Sequence, residues 1–181
     1  MLLQTICRAG PLKKAQDTYT TQRDPRLLHP PKFRSKHDLV LFILFASSTM
    51  PPFYEIAVAL FGQPVSPVKQ WAIIVIFTPS LGHAMVYQIT GSASDYSLKA
   101  PESVTLKAGE GGYLGKVPVG RVDQERLHQF SATLANVNIV QNDAAWDCQN
   151  WVMEGLVALR KDGHHIENVS RSWLVERLGS S

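Results

Sequence analysis

Cys148 is the side chain in this sequence best placed to act as a nucleophile. It opens the stretch Cys148-Gln-Asn-Trp-Val-Met-Glu-Gly-Leu-Val-Ala-Leu159, where Cys148, Trp151, Val152, Gly155, Leu156 and Leu159 recur at the spacing of a core-facing helical stripe. A thiolate in the first turn of a helix gains from the unpaired N–H groups and the dipole there, and Asn142, Asp143 or Asp147 could cap that turn. The same stripe equally fits a cysteine used as a small buried apolar side chain, since free cysteine is among the most buried residue types. Both readings stand on the sequence alone.

A thiol nucleophile needs a general base, and the histidine offered is His83, which follows Gly82 at the start of a strand; its alternative is an exposed turn histidine. Gln70 and Gln88 bring amides that can donate hydrogen bonds to an oxyanion or orient a base, but glutamine cannot take up and return a proton near neutral pH. Tyr87, Trp71, Trp146 and Asp147 complete the candidate substrate-binding set. His128, on a helix with polar neighbours, and His164-His165, after the helix-ending Gly163, are expected in solvent. No cysteine or histidine pair has ligand spacing backed by a third ligand, so no metal is expected. Neither a dinucleotide fingerprint nor a phosphate loop is present, and no cofactor is expected.

Leu39 to Ser47 and Trp71 to Phe77 are continuous apolar runs rich in branched and aromatic residues, the pattern of strands buried on both faces. The first is expected to be the central strand. Phe53 to Leu60, after Pro51-Pro52, reads as a short helix or part of a loop. Thr78-Pro-Ser-Leu-Gly82 is turn chemistry joining the second strand to a third, His83 to Thr90, as a hairpin. Period two then puts Gln70, Ala72, Ile74 and Ile76 on one face of the second strand. Tyr96 to Ala100 and Ser103 to Ala108 are weaker strands, and Tyr113 to Val122 is a strand that Pro118 places at an edge. Asp123 caps a helix whose stripe is Leu127, Phe130, Ser131 and Leu134; the Cys148 helix ends near Gly163, and a short helix from about Ser170 closes the chain. Strands followed by helices predict an α+β fold, a mainly antiparallel sheet with helices packed on it.

The chain has 181 residues, 45% of them apolar and 18% charged, enough for one domain with a full core. Its net charge of +3 comes from the leader, because residues 1–36 hold eight Lys or Arg against two Asp and the remainder ten against thirteen acids. Residues 1–36 therefore read as an irregular basic arm and 37–181 as a single domain. The arm has no aromatic interleaving and no nucleic-acid motif, so no nucleic acid is expected as a partner. Two cysteines with no disulfide framework, no secretory or mitochondrial leader pattern, and no apolar run long enough to span a bilayer favour a cytoplasmic protein with no membrane attachment.

Over roughly residues 38 to 163 the order of elements resembles the circularly permuted papain-like proteins, which include bacterial cell-wall peptidases and the lecithin:retinol acyltransferase group. More specifically it looks like a fungal family of uncharacterised proteins, on Leu39 to Ser47, Met50-Pro51-Pro52, Gln70-Trp71-Ala72-Ile73, Val86-Tyr87-Gln88, Gly115-Lys-Val-Pro-Val119 and, most specifically, Trp146-Asp-Cys-Gln-Asn-Trp-Val152. The family pattern opens its strand with histidine where this chain has Gln70. Gln88 occupies the second histidine position, and Asp147 stands for asparagine.

Three functions follow. In the first, Cys148 attacks an ester, thioester or amide with His83 as base and Gln70 as oxyanion donor, giving acyl transfer or hydrolysis on a small molecule. In the second, Gln70, Gln88, Tyr87 and Asp147 steer a cyclisation, isomerisation or elimination, and the fungal resemblance implies specialised metabolism. The third is a catalytically inactive binding module that keeps the helix for packing.

Overall fold

A computed structural model describes residues 53–62 and 69–179. The run at 39–47, expected as the central strand, and the arm at 1–36 lie outside them. Eight strands and three helices are found among the described residues: β1 (Phe53–Gly62), β2 (Lys69–Thr78), β3 (His83–Tyr87), β4 (Ile89–Thr90), β5 (Ser97–Leu98), β6 (Glu102–Thr105), β7 (Tyr113–Asp123), α1 (Leu127–Ala135), α2 (Cys148–Lys161), β8 (His165–Ile166) and α3 (Arg171–Gly179). Six strands form an antiparallel sheet in the order β6-β3-β2-β1-β7-β8, and β4 pairs with β5 in a separate ribbon. The fold is α+β, with the helices packed on this sheet.

Phe53 to Leu60 is not a helix or a loop. It is the body of β1, which lies in the middle of the sheet between β2 and β7. Its larger side chains Tyr54, Ile56, Val58 and Leu60 join the core under the helices, while Ala57 and Ala59 face the other way with Ala72, Ile74, Ile76, Ala84 and Val86. Beyond Glu55 the strand is apolar on both faces and has no alternation in polarity. The two alanines also lend it helix propensity, which tertiary context overrides.

β2 runs two residues beyond the expected start and one beyond the expected end. The third strand is interrupted: β3 stops at Tyr87, and the chain past Gln88 turns to pair with β5. β7 is not an edge strand along its whole length, because β8 pairs with it at Gly120 and Arg121. Pro118 lies outside that two-residue pairing, which reconciles its missing N–H with the position. A Cβ on Gly120 would overlap the His165 carbonyl, so glycine is what lets β8 approach.

All six stripe residues of α2 are buried, together with Phe130 and Leu134 of α1 and Leu174 and Leu178 of α3. The approach is tight at Gly155, where an added Cβ would stand 3.0 Å from Ile73 Cδ1 on β2 and 3.1 Å from Leu134 Cδ2 on α1.

Candidate functional site

The first turn of α2 is held from three directions. Asp147 has extended backbone and its Oδ1 accepts from Gln149 N–H at 2.9 Å and Asn150 N–H at 3.2 Å, while Asn150 Oδ1 accepts from Asp147 N–H at 3.3 Å, a reciprocal capping box. Arg171, at the start of α3, spreads its guanidinium over this cap: Nε donates to Gln149 Oε1 at 2.9 Å, Nη1 to Asn150 Oδ1 at 3.4 Å, and Nη2 lies 3.6 Å from Asp147 Oδ2. Trp146, just before the cap, donates from Nε1 to Glu154 Oε1 at 3.0 Å and meets the Tyr96 ring edge-on at 5.5 Å. Cys148, the first helical residue, is 1% exposed within the core shared by Trp71, Tyr87 and Trp146.

The sheet separates the remaining candidates. Trp71 and Tyr87 lie on the helix side with Cys148. Strand alternation puts Gln70, beside Trp71, on the opposite side, while Gln88 lies in the break between β3 and β4. Both glutamines are buried. Gln70 Nε2 donates to the Ile89 carbonyl at 2.7 Å, bridging β2 to β4 at the point where the β2–β3 ladder has stopped at Ile73 and Tyr87. The Gln88 carbonyl accepts from Lys99 N–H at 3.0 Å, which fastens the β4–β5 ribbon.

Tyr87 reaches across to α1. Ser131 Oγ donates to the Leu127 carbonyl at 3.0 Å, so the 2.8 Å contact between Tyr87 and Ser131 has the phenol as donor. Burial pushes the phenol pKa up. The ring packs edge-on against Phe130 at 5.5 Å.

His83 is not brought to the others. In the antiparallel hairpin it pairs with Thr78, at the far end of β2 from Gln70. Eight residues of strand separate them, on the order of 26 Å. The loop order of a hairpin dictates this, so the sequence already contained the answer.

His164 corrects an expectation. Its side chain is 1% exposed rather than solvated, whereas His128 and His165 are exposed. Gly163, at φ 82°, ends α2 in a Schellman turn in which Gly163 N–H donates to Arg160 at 3.1 Å and His164 N–H to Leu159 at 3.0 Å. The residue after such a glycine commonly packs back on the helix, and that was the available signal. Arg171 had no short-range signal, since its partners precede it by more than twenty residues.

Among the described residues, no three His, Cys, Asp or Glu side chains gather where they could hold a metal ion, and no helix is long and apolar enough to cross a membrane. An open depression of about 440 Å³ lies over α2 and the segment after α1, lined by residues such as Val137, Met153, Val157 and Lys161; none of the candidate site residues lines it.

The model of a family of unknown function, DUF6914, matches residues 56–177. This chain belongs to DUF6914. The matched span includes Gln70, Trp71, His83, Tyr87, Gln88, Trp146, Asp147 and Cys148, and also Arg171 and His164, so the DUF6914 region carries both ends of α2. No curated protein and no solved structure matches the chain.

Proposed function

We propose that this domain is a catalytically inactive binding module on a scaffold similar to the permuted papain-like proteins. The observation that carries the reading is the buried 2.7 Å hydrogen bond from Gln70 to the Ile89 carbonyl. At the position where the resemblance places a general base, this chain has an amide engaged in joining two strands. The other candidates are similarly occupied: Asp147 caps α2, Tyr87 donates to Ser131, and Cys148 is sealed in the core. A thiol closed off from solvent offers an acyl donor no route to its sulfur.

The reading is tested by iodoacetamide labelling followed by peptide mass spectrometry. Native Cys148 is expected to react far more slowly than glutathione and at the glutathione rate only after denaturation. Cys148→Ala is expected to lower stability and leave every function of the chain intact. Native labelling faster than glutathione would sink the proposal.

A thiol-based acyl transfer or hydrolysis is the second reading. It is favoured by the position of Cys148 as the first residue of α2, in a turn covered by the Arg171 guanidinium, where positive charge stabilises a thiolate. A small-molecule substrate belongs with it. The cyclase or isomerase variant is less well supported, because the Gln70 amide is engaged with the Ile89 carbonyl while Tyr87 lies on the helix side and is engaged with Ser131.

A further inference from the structure

The C-terminal end of α2 is closed onto α1 by a cluster of polar side chains built around a buried histidine. Arg126, in the turn before α1, donates from Nη2 to the Asp162 carbonyl at 2.7 Å and from Nη1 to the Gly163 carbonyl at 2.8 Å. The Asp162 carboxylate accepts from Thr133 Oγ1 at 2.5 Å and from Gln129 Nε2 at 3.1 Å. Behind these contacts the His164 ring stacks edge-on against Phe130 at 5.5 Å, and Phe130 in turn meets Tyr87. His164 Nε2 is buried with no hydrogen-bond partner; Asp162 Oδ2 is 4.0 Å away, beyond hydrogen-bond reach.

We propose that His164 makes the seam between α1 and the C-terminal end of α2 acid-sensitive, closed while the imidazole is neutral and released when it takes a proton. The charged groups around it come from every element that meets there: Asp162 from α2, Arg126 from the turn before α1, Asp123 from the end of β7 and His165 from β8, while α1 presents the apolar Phe130 ring. An imidazolium in this position has lost its water and faces the Arg126 cation, and both effects oppose protonation. The nearest anion is already committed to Thr133 and Gln129. Burial is the larger cause of the lowered pKa, followed by Arg126.

The sign follows from linkage. Because the folded seam binds this proton less readily than the open one, closure is fully stable above the ordinary imidazole value of 6.5 and weakens as pH falls below it. Above the folded value, the weakening is up to about tenfold in the closing equilibrium per pH unit for one proton. Asp162 acts in a different window, since the Thr133 hydroxyl holds its carboxyl below the usual range and its contribution is lost only in stronger acid.

The test is amide hydrogen exchange on the full chain between about pH 7.5 and about pH 5, corrected for intrinsic rates. Protection in α1 and the last turn of α2 is expected to fall with pH while β1 and β2 stay protected. His164→Gln and His164→Phe are expected to remove the pH dependence. Unchanged wild-type protection, or an equal acid loss in both variants, overturns the proposal. Should the variants not fold, the wild-type imidazole read by NMR decides it: titration below 6.5 supports the proposal, and titration at or above 6.5 overturns it.

Discussion

At the N-terminal end of α2 the capping groups Asp147, Asn150, Gln149 and Arg171 are interlocked at the surface, with the buried Trp151 indole N–H behind them left without a partner, whereas the C-terminal end keeps a titratable group, a histidine, in the core with a ring nitrogen unpartnered. The contrast runs against the order in which the sequence draws attention. The end with the cysteine is a well-made helix start, and its conspicuous residues are accounted for by capping and packing. The end with an uncompensated buried titratable group follows a glycine and looks solvated in the sequence. A nucleophile-bearing motif marks chemistry only if its polar neighbours are left free to act, and the use of Asp147 as a cap is one reason for the inactive reading proposed above.

The sharpest way to break the contrast is to remove the ring on which the C-terminal end rests. Phe130→Ala should cost about 3–5 kcal/mol in urea unfolding, because the ring is fully buried between Tyr87 and His164; a loss below about 1 kcal/mol would mean that this end is not packed as described. Gly163→Ala comes next. At φ 82° a Cβ is strained, so a loss of about 1–2 kcal/mol is expected, together with weaker amide protection at His164.

Asp147→Ala removes the acceptor of two amides and should cost about 1 kcal/mol, with Asp147→Asn recovering most of it. Recovery by asparagine would show that the carboxylate is used as a cap rather than as a charge. The smallest effect is expected from Arg171→Met, a few tenths of a kcal/mol in thermal unfolding, since the guanidinium is exposed and its ion pair is screened. A loss above about 1 kcal/mol there would reverse the comparison and make the N-terminal end the one that depends on a single residue.

The α2 stripe was fully legible, because six apolar or small residues at helical spacing admit one face only. The sheet class was legible from the apolar runs, but β1 was not: with both faces buried it shows no period two, and its alanines suit either element. The break after Tyr87 has no sequence marker, and without it the partner of Gln70 could not be named. His164 depends on Phe130, thirty-four positions earlier, which is tertiary information that local spacing does not contain. His83 was misplaced for a different reason, since a hairpin already requires its second strand to start opposite the end of the first.

Gly155 has a bearing on how this sequence can drift. The helix, β2 and α1 meet there closely enough that a single methyl group would press on Ile73 and Leu134 together. Drift at the three positions is therefore coupled rather than independent. Relatives that carry alanine at 155 are expected to carry a shorter side chain at 73 or 134, and an alignment in which the three vary freely would show that the spacing between helix and sheet is not fixed at this point.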